Sequence, residues 1–250
     1  MRGLQEGFGR FFSISGGIGG DAPLPKTSLQ CHGNNLLADG AVGLLLGSQN
    51  KVATAAYHGW QPLGKPRIIT LAEGNIIRLI DNKPALSIYE NYFAEELSKK
   101  DPGSLDDIGL LYPLGIATLP GEPYTLIHPV QTLNDGSIIC QSEIPTGARV
   151  HLMIGKKETV QHAAAIAATS IKEQLLSKQP KLLLVFASTA RHKIFGRNAY
   201  NEIRTIKEIL GLTMPVFGMY TYGEIAPLSE IKNTDRTLVQ NASIVLTAIG

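Results

Sequence analysis

Cysteine is nearly missing: Cys31 and Cys140 are the two thiols in 250 residues, far apart and without a CxxC pair. Neither a disulfide framework nor a cysteine-rich zinc site is therefore the basis of the fold. An excess of one charge is missing too. The 23 basic and 21 acidic side chains leave a net charge of +2 and are interspersed along the chain. That balance supplies no field to hold a polyanion or an anionic membrane. No apolar run approaches the roughly 20 residues of a membrane-spanning helix. The opening stretch MRGLQEGFGRFFSISGGIGG is interrupted by Arg2, Glu6 and Arg10 and lacks the apolar centre of a signal peptide. The expected location is the cytoplasm, with neither nucleic acid nor membrane as partner.

What is present is ordinary globular material, 44% hydrophobic and 18% charged. The first part reads as hairpins. Leu36 to Ala38 and Ala41 to Leu46 flank Asp39-Gly40, a pair suited to a tight turn. Arg67 to Leu71 and Ile76 to Ile80 flank Glu73-Gly74-Asn75. Tyr124 to Leu133 and Ser137 to Gln141 flank Asn134-Asp135-Gly136. Between the last two, Leu86, Tyr89, Phe93 and Leu97 form the apolar stripe of a helix. Pro84 is expected in its first turn, Glu95–Lys99 and Glu96–Lys100 on its wet side, and Asp101-Pro102-Gly103 at its end. From Glu158 the period becomes helical, with Val160, Ala164, Ala167, Ile171 and Leu175 on one face. The run Lys181 to Ala187 then reads as a strand covered on both faces. A helix over residues 199–210 is expected to close on Gly211 as a left-handed cap. Strands over 215–222 and 242–249 follow. The expected class is α/β or α+β, with hairpins first and a strand–helix–strand unit in the last third.

Chemistry-bearing patterns are few. Ser15-Gly16-Gly17-Ile18-Gly19-Gly20-Asp21 has neither dinucleotide nor P-loop spacing, so it reads as a tight turn near a cleft. The six histidines form no metal motif, although a single one can hold haem iron axially. His58, in Tyr57-His58-Gly59-Trp60, and His192, after the apolar strand, are the two candidates. No GxSxG elbow or activated cysteine supports an enzyme. More informative is Tyr220-Thr221-Tyr222-Gly223-Glu224-Ile225. If the strand before it lies parallel to the one before Arg191, then Arg191, Tyr222 and Glu224 converge at their carboxyl ends. An arginine fork takes a carboxylate and a glutamate takes an ammonium, which together match a zwitterion. An Arg191–Glu224 salt bridge tying the edge is the structural alternative, and the residues alone leave both open.

Taken in order, SGGIGGD, Tyr57-His58-Gly59-Trp60, Leu71 to Pro84, Lys83 to Leu86, the Arg191 segment, Tyr220 to Ile225 and Asn241 resemble the N- and C-terminal regions of the FIST family. The resemblance implies a bacterial sensory domain for a small ligand, with amino acids among the ligands proposed, and no catalysis. It places an N-like region at 1–82 and a C-like region at 83–250. Its implied site residues are Gly17, Gly19, Asp21, Trp60, Arg191, Tyr222, Gly223, Glu224 and Asn241, around a cleft between the two parts. The implied output partner is a histidine kinase, a chemotaxis protein or a cyclic-dinucleotide protein. No cofactor is expected. Because some members are described as haem proteins that sense nitric oxide, a haem-based sensor using His58 or His192 is the rival reading. A hydrolase or transferase with an unrecognised site is a further one, and a purely structural interaction module another. Two departures stand out. The Gly-Gly segment starts at Ser15, so the N-terminal region is expected to be shortened. And Phe186-Ala187-Ser188-Thr189-Ala190-Arg191 lacks the cysteine that often precedes the family's arginine.

Overall fold

A computed structural model describes residues 2–9, 12–20, 28–38, 40–47, 49–99, 104–117, 124–227 and 237–250. In chain order the elements begin with α1 (Arg2–Phe8), β1 (Gly16–Ile18), β2 (Leu29–His32), β3 (Asn35–Ala38) and β4 (Val52–Tyr57). There follow β5 (Gln61–Glu73), β6 (Ile76–Ile80), β7 (Lys83–Pro84), α2 (Ser87–Ser98), α3 (Asp106–Leu111), β8 (Leu114–Ala117) and β9 (Thr125–Ile127). Next come β10 (Pro129–Thr132), β11 (Ile138–Cys140), β12 (Arg149–Ile154), α4 (Lys157–Gln174), β13 (Leu182–Ser188) and α5 (Thr189–Phe195). The chain ends with α6 (Tyr200–Leu210), β14 (Val216–Thr221), β15 (Gly223–Pro227), β16 (Thr237–Gln240) and β17 (Ile244–Ile249). The mixture of helices and several sheets is the α/β or α+β class expected.

Two compact units interleave along the chain: Met1–Tyr57, Gln161–Val239 and Ser243–Gly250 in one, His58–Val160 and Gln240–Ala242 in the other. The first unit is built on a mixed sheet ordered β14-β13-β17-β4, in which β13 and β14 are parallel. Alternation along β13 decides its two faces. Leu183, Val185 and Ala187 join Ile244, Leu246 and Ala248 of β17 beneath Ala164, Ala167, Ala168 and Ile171 of α4 and Ile206 and Leu210 of α6. The alanines let that helix sit close, and the stripe read from period 3.6 is buried along its whole length. On the opposite face Phe186 and Val245 meet Ala226 of β15, which belongs to a second sheet ordered β1-β15-β16. The strand expected to be covered on both faces is therefore covered by helices on one and by a sheet on the other.

The second unit wraps one large sheet, ordered β10-β11-β6-β5-β12-β8-β9 with β7 added to β6. Its core is apolar, from Ile69, Ile77, Leu114, Ile138 and Leu152 to Tyr89, whose hydroxyl donates to Tyr112 O at 2.8 Å. The hairpins about residues 73–75 and 134–136 form as expected.

Three local expectations are corrected. The first hairpin turns at Gly33-Asn34, with His32 facing Asn35, because Gly33 supplies the positive φ (59°) that a two-residue turn needs. Residues 40–47 form no strand, and Asp39 lies outside the described residues. Pro84 is in β7 rather than in the helix, where a missing N–H costs nothing on a short edge strand. Helix α2 starts three residues later, and the stop expected at 101–103 lies outside the described residues, as does Lys100. Gly211 does end α6, but at φ 135° and ψ 127° rather than in the left-handed helical region. A Cβ there would meet only the flexible Gln179 side chain, which can move aside, so it is the positive φ that favours glycine.

Candidate functional site

The convergence read from sequence rests on two strands being parallel neighbours, and they are: Ala187 faces Tyr220 and Ser188 faces Thr221. The chain leaves β13 into α5, whose N-cap Ser188 accepts from the Ala190 N–H, and so carries Arg191 over the strands' carboxyl ends. It leaves β14 by a sharp change of sheet at Tyr222, and β15 sends Glu224 back under the same point. There β15 pairs with β1, Gly17 facing Glu224 and Ile18 facing Gly223. The Gly-rich segment and the YGEI turn are thus one piece of structure. Space explains the glycine, since a Cβ on Gly17 would stand 2.1 Å from Thr221 Cγ2.

Arg191 is fully buried, and its Nε donates to Glu202 Oε1 at 3.1 Å, with Nη2 on the same oxygen. The sequence offered Glu224 or a ligand as its partner; the structure adds Glu202, from the first turn of α6, and the Arg191 charge also acts on Glu224. Glu224, also fully buried, accepts from Ser243 N at 3.0 Å on Oε2 and from Thr221 Oγ1 at 2.7 Å on Oε1. Burial pushes its carboxyl up to about 8, against the opposing pull of Thr221, Ser243, Arg191 and Ser188. At neutral pH it is mostly protonated. A protonated Oε1 can donate to Thr221 Oγ1 while that hydroxyl donates onward to Ala187 O, 3.3 Å away.

Beside the ion pair lies a cavity of about 650 Å³. Glu202, Ile203 and Lys207 of α6, Val185 and Ala187 of β13, Met214, and Met219 and Tyr220 of β14 line it. Burial and then the Glu202 charge push the Tyr220 phenol up, while Arg191 opposes them. Its ring meets the edge of His192, centroids 4.8 Å apart, on the exposed side of α5. The cavity combines a carboxylate, an ammonium and a phenol with a wall of apolar side chains, the usual make-up of a small-molecule site.

The remaining candidates are used otherwise. Tyr222 is half-buried, gives its N–H to Ile18 O at 2.9 Å and lies against Gly20. Gly19 is next to Gln30, and Asp21 lies outside the described residues. Trp60 and Asn241 belong to the second unit. Trp60 is buried there with its indole N–H on Leu111 O at 3.0 Å. Asn241 staples that unit, its Oδ1 accepting from His128 N at 3.0 Å and its Nδ2 donating to Gln141 Oε1 at 2.7 Å. His58 Nδ1 accepts from Trp60 N at 2.9 Å, and His192 is exposed. Neither lines this cavity or the one of about 470 Å³ in the second unit, bordered by Lys65, Arg67, Asp81 and Tyr92. These cavities do not offer haem an axial histidine. Among the described residues no group of three or more histidine, cysteine, aspartate or glutamate side chains could hold a metal ion, and no helix is long and apolar enough to cross a membrane.

Glu202 is the functional candidate that sequence reasoning missed. Its signal was present: Ala199, Glu202, Ile206 and Leu210 share one face of an amphipathic helix, and the carboxylate occupies a core position. A buried acid on an apolar stripe implies a buried cation nearby.

A mixed-sheet unit with a charged cluster at the carboxyl ends of two parallel strands, and a cavity beside it between α6 and β14, has the build of a ligand-binding domain. The FIST N domain matches residues 1–83 and the FIST C domain residues 85–227, so the chain belongs to the FIST family. FIST domains are sensory domains of signal transduction rather than an enzyme family. An uncharacterized protein of Mycobacterium bovis is 24% identical over 202 residues, covering 78% of this chain and 51% of its own length. One of Mycobacterium tuberculosis matches with the same identity and the same coverage. The chain thus spans about half the length of the curated relatives it matches. No solved structure gives a significant match.

Proposed function

We propose that the first unit binds a small amphipathic zwitterion, an amino acid with an apolar side chain or a close relative, in the cavity between α6 and β14, and that binding is the sensory event. The observation that carries this reading is the double duty of Glu202: one carboxylate oxygen holds buried Arg191 while the side chain lines the cavity. A ligand ammonium takes the Glu202 side, Lys207 takes the ligand carboxylate, and Ile203, Met214 and Met219 take the side chain. Arg191 serves as anchor indirectly, by fixing Glu202, because its own guanidinium is wholly buried. An ammonium competing for Glu202 loosens its hold on Arg191 and frees that cation toward Glu224, on the strand that pairs with β1. The ligand thereby prefers one state of the cluster, which is the differential affinity that any signal requires. The output partner is a kinase, chemotaxis or cyclic-dinucleotide protein.

The test is the melting temperature against a panel of amino acids. Ligand at about a hundred times its dissociation constant stabilises the fold by roughly 2.7 kcal/mol, a shift of a few degrees. Apolar amino acids should give that shift, and Glu202→Gln and Lys207→Ala should each abolish it. Silence across the panel, or a shift indifferent to both substitutions, overturns the reading.

A further inference from the structure

Residues 29–38 and 40–46 carry an arm rich in exposed apolar side chains. Among the described residues the hairpin β2–β3 pairs with no third strand, and a lone two-stranded hairpin is barely stable in water. Leu36, Leu37, Val42, Leu44, Leu45 and Leu46 are all exposed, Leu44 by 80% and Leu45 by 70%. No charged side chain occurs between Gly40 and Asn50. Single exposed leucines need no explanation, but this many within one short stretch of chain do. With Leu29, the arm's large side chains present roughly 700 Å² of surface, close to the about 800 Å² each partner contributes to an interface of standard size.

The same unit carries a surface of matching character. Strand β14 is the last of its sheet, hydrogen-bonded to β13 alone among the described residues. Natural edge strands are blunted by charge, proline or a bulge. Residues 216–221, VFGMYT, contain no charge or proline, and their register with β13 runs without a break. Phe217 is 67% and Met219 51% exposed.

We propose that the arm of one copy of this chain docks along β14 of a second copy, reciprocally, as a closed two-fold dimer. The hairpin gains the third strand it lacks, both edges are covered, and symmetry makes one arm and one edge per copy sufficient. Phe217, where the docking is tested, does not line the cavity, whereas Met219 and Tyr220 of the same strand do.

Sedimentation of the whole chain over a concentration series decides it. The wild-type chain should be a dimer. Leu44→Glu in the arm and Phe217→Lys at the edge should each weaken dimerisation by at least roughly tenfold, with circular dichroism unchanged because both side chains are exposed. Combining them should restore the dimer, because the Glu arm of each copy then meets the Lys edge of the other. A monomer throughout, a dimer indifferent to either change, a double variant that stays monomeric, or a monomeric wild type that binds lipid vesicles each overturns the proposal.

Discussion

The two units solve the same problem, burying polar groups, in opposite ways. The second unit keeps its buried titratable groups neutral: burial depresses the His128 imidazole to about 3 and pushes the Cys140 thiol up to about 12. The first unit buries the Arg191–Glu202 ion pair and sets Glu224 near it with a carboxyl raised to about 8. A neutral interior is scaffold. An interior with charges whose state can change is a place where a ligand or a proton alters energy, and it is also where the cavity with Glu202 lies.

The largest test of this contrast is Arg191→Leu. It removes the cation beside two buried carboxyl groups and should cost about 3–5 kcal/mol, read by chemical denaturation. A loss below about 1 kcal/mol would mean that the cluster is not buried in solution.

The next effect is pH dependence of opposite sign. Glu224 titrates higher folded than unfolded, so its contribution is full below pH 4.5 and is lost as pH rises through about 8. His128 titrates lower folded than unfolded, so its contribution is full above pH 6.5 and is lost as pH falls toward about 3. Glu224→Gln should flatten the alkaline limb of stability, by on the order of a few kcal/mol, and His128→Leu the acid limb. Melting curves across pH separate them, and exchanged or unchanged limbs would break the comparison. The smallest effect belongs to Lys99→Ala. Its pair with Glu95, 3.8 Å apart on the exposed face of α2, is worth at most about 0.5 kcal/mol. A larger loss would show that this surface is not the passive one it looks.

Much of this was legible because it is periodic or local. The α4 stripe, the buried β13 and two of three hairpins follow from spacing and turn residues. The parallel pairing that brings Arg191 toward Glu224 was a condition of that reading, and the structure meets it. What was not legible is non-local. Nothing beside Gly17 names Thr221 as the neighbour that forbids a side chain. Pro84 reads as a helix start until β6 is known to lie alongside it. The Arg191–Glu202 pair needed two elements in three dimensions, although Glu202 on an apolar stripe was a hint in one.

The register of β1 has a consequence for how the molecule comes into being. Gly16 faces Ile225, so β1 pairs with a strand that emerges from synthesis long after it. The loop closed by that pairing is among the longest this chain can form, and closing long loops is what slows folding. The strand next to Glu224 is therefore expected to lock late, after the helices and the central sheet. A nascent chain would acquire its framework first and its responsive centre last.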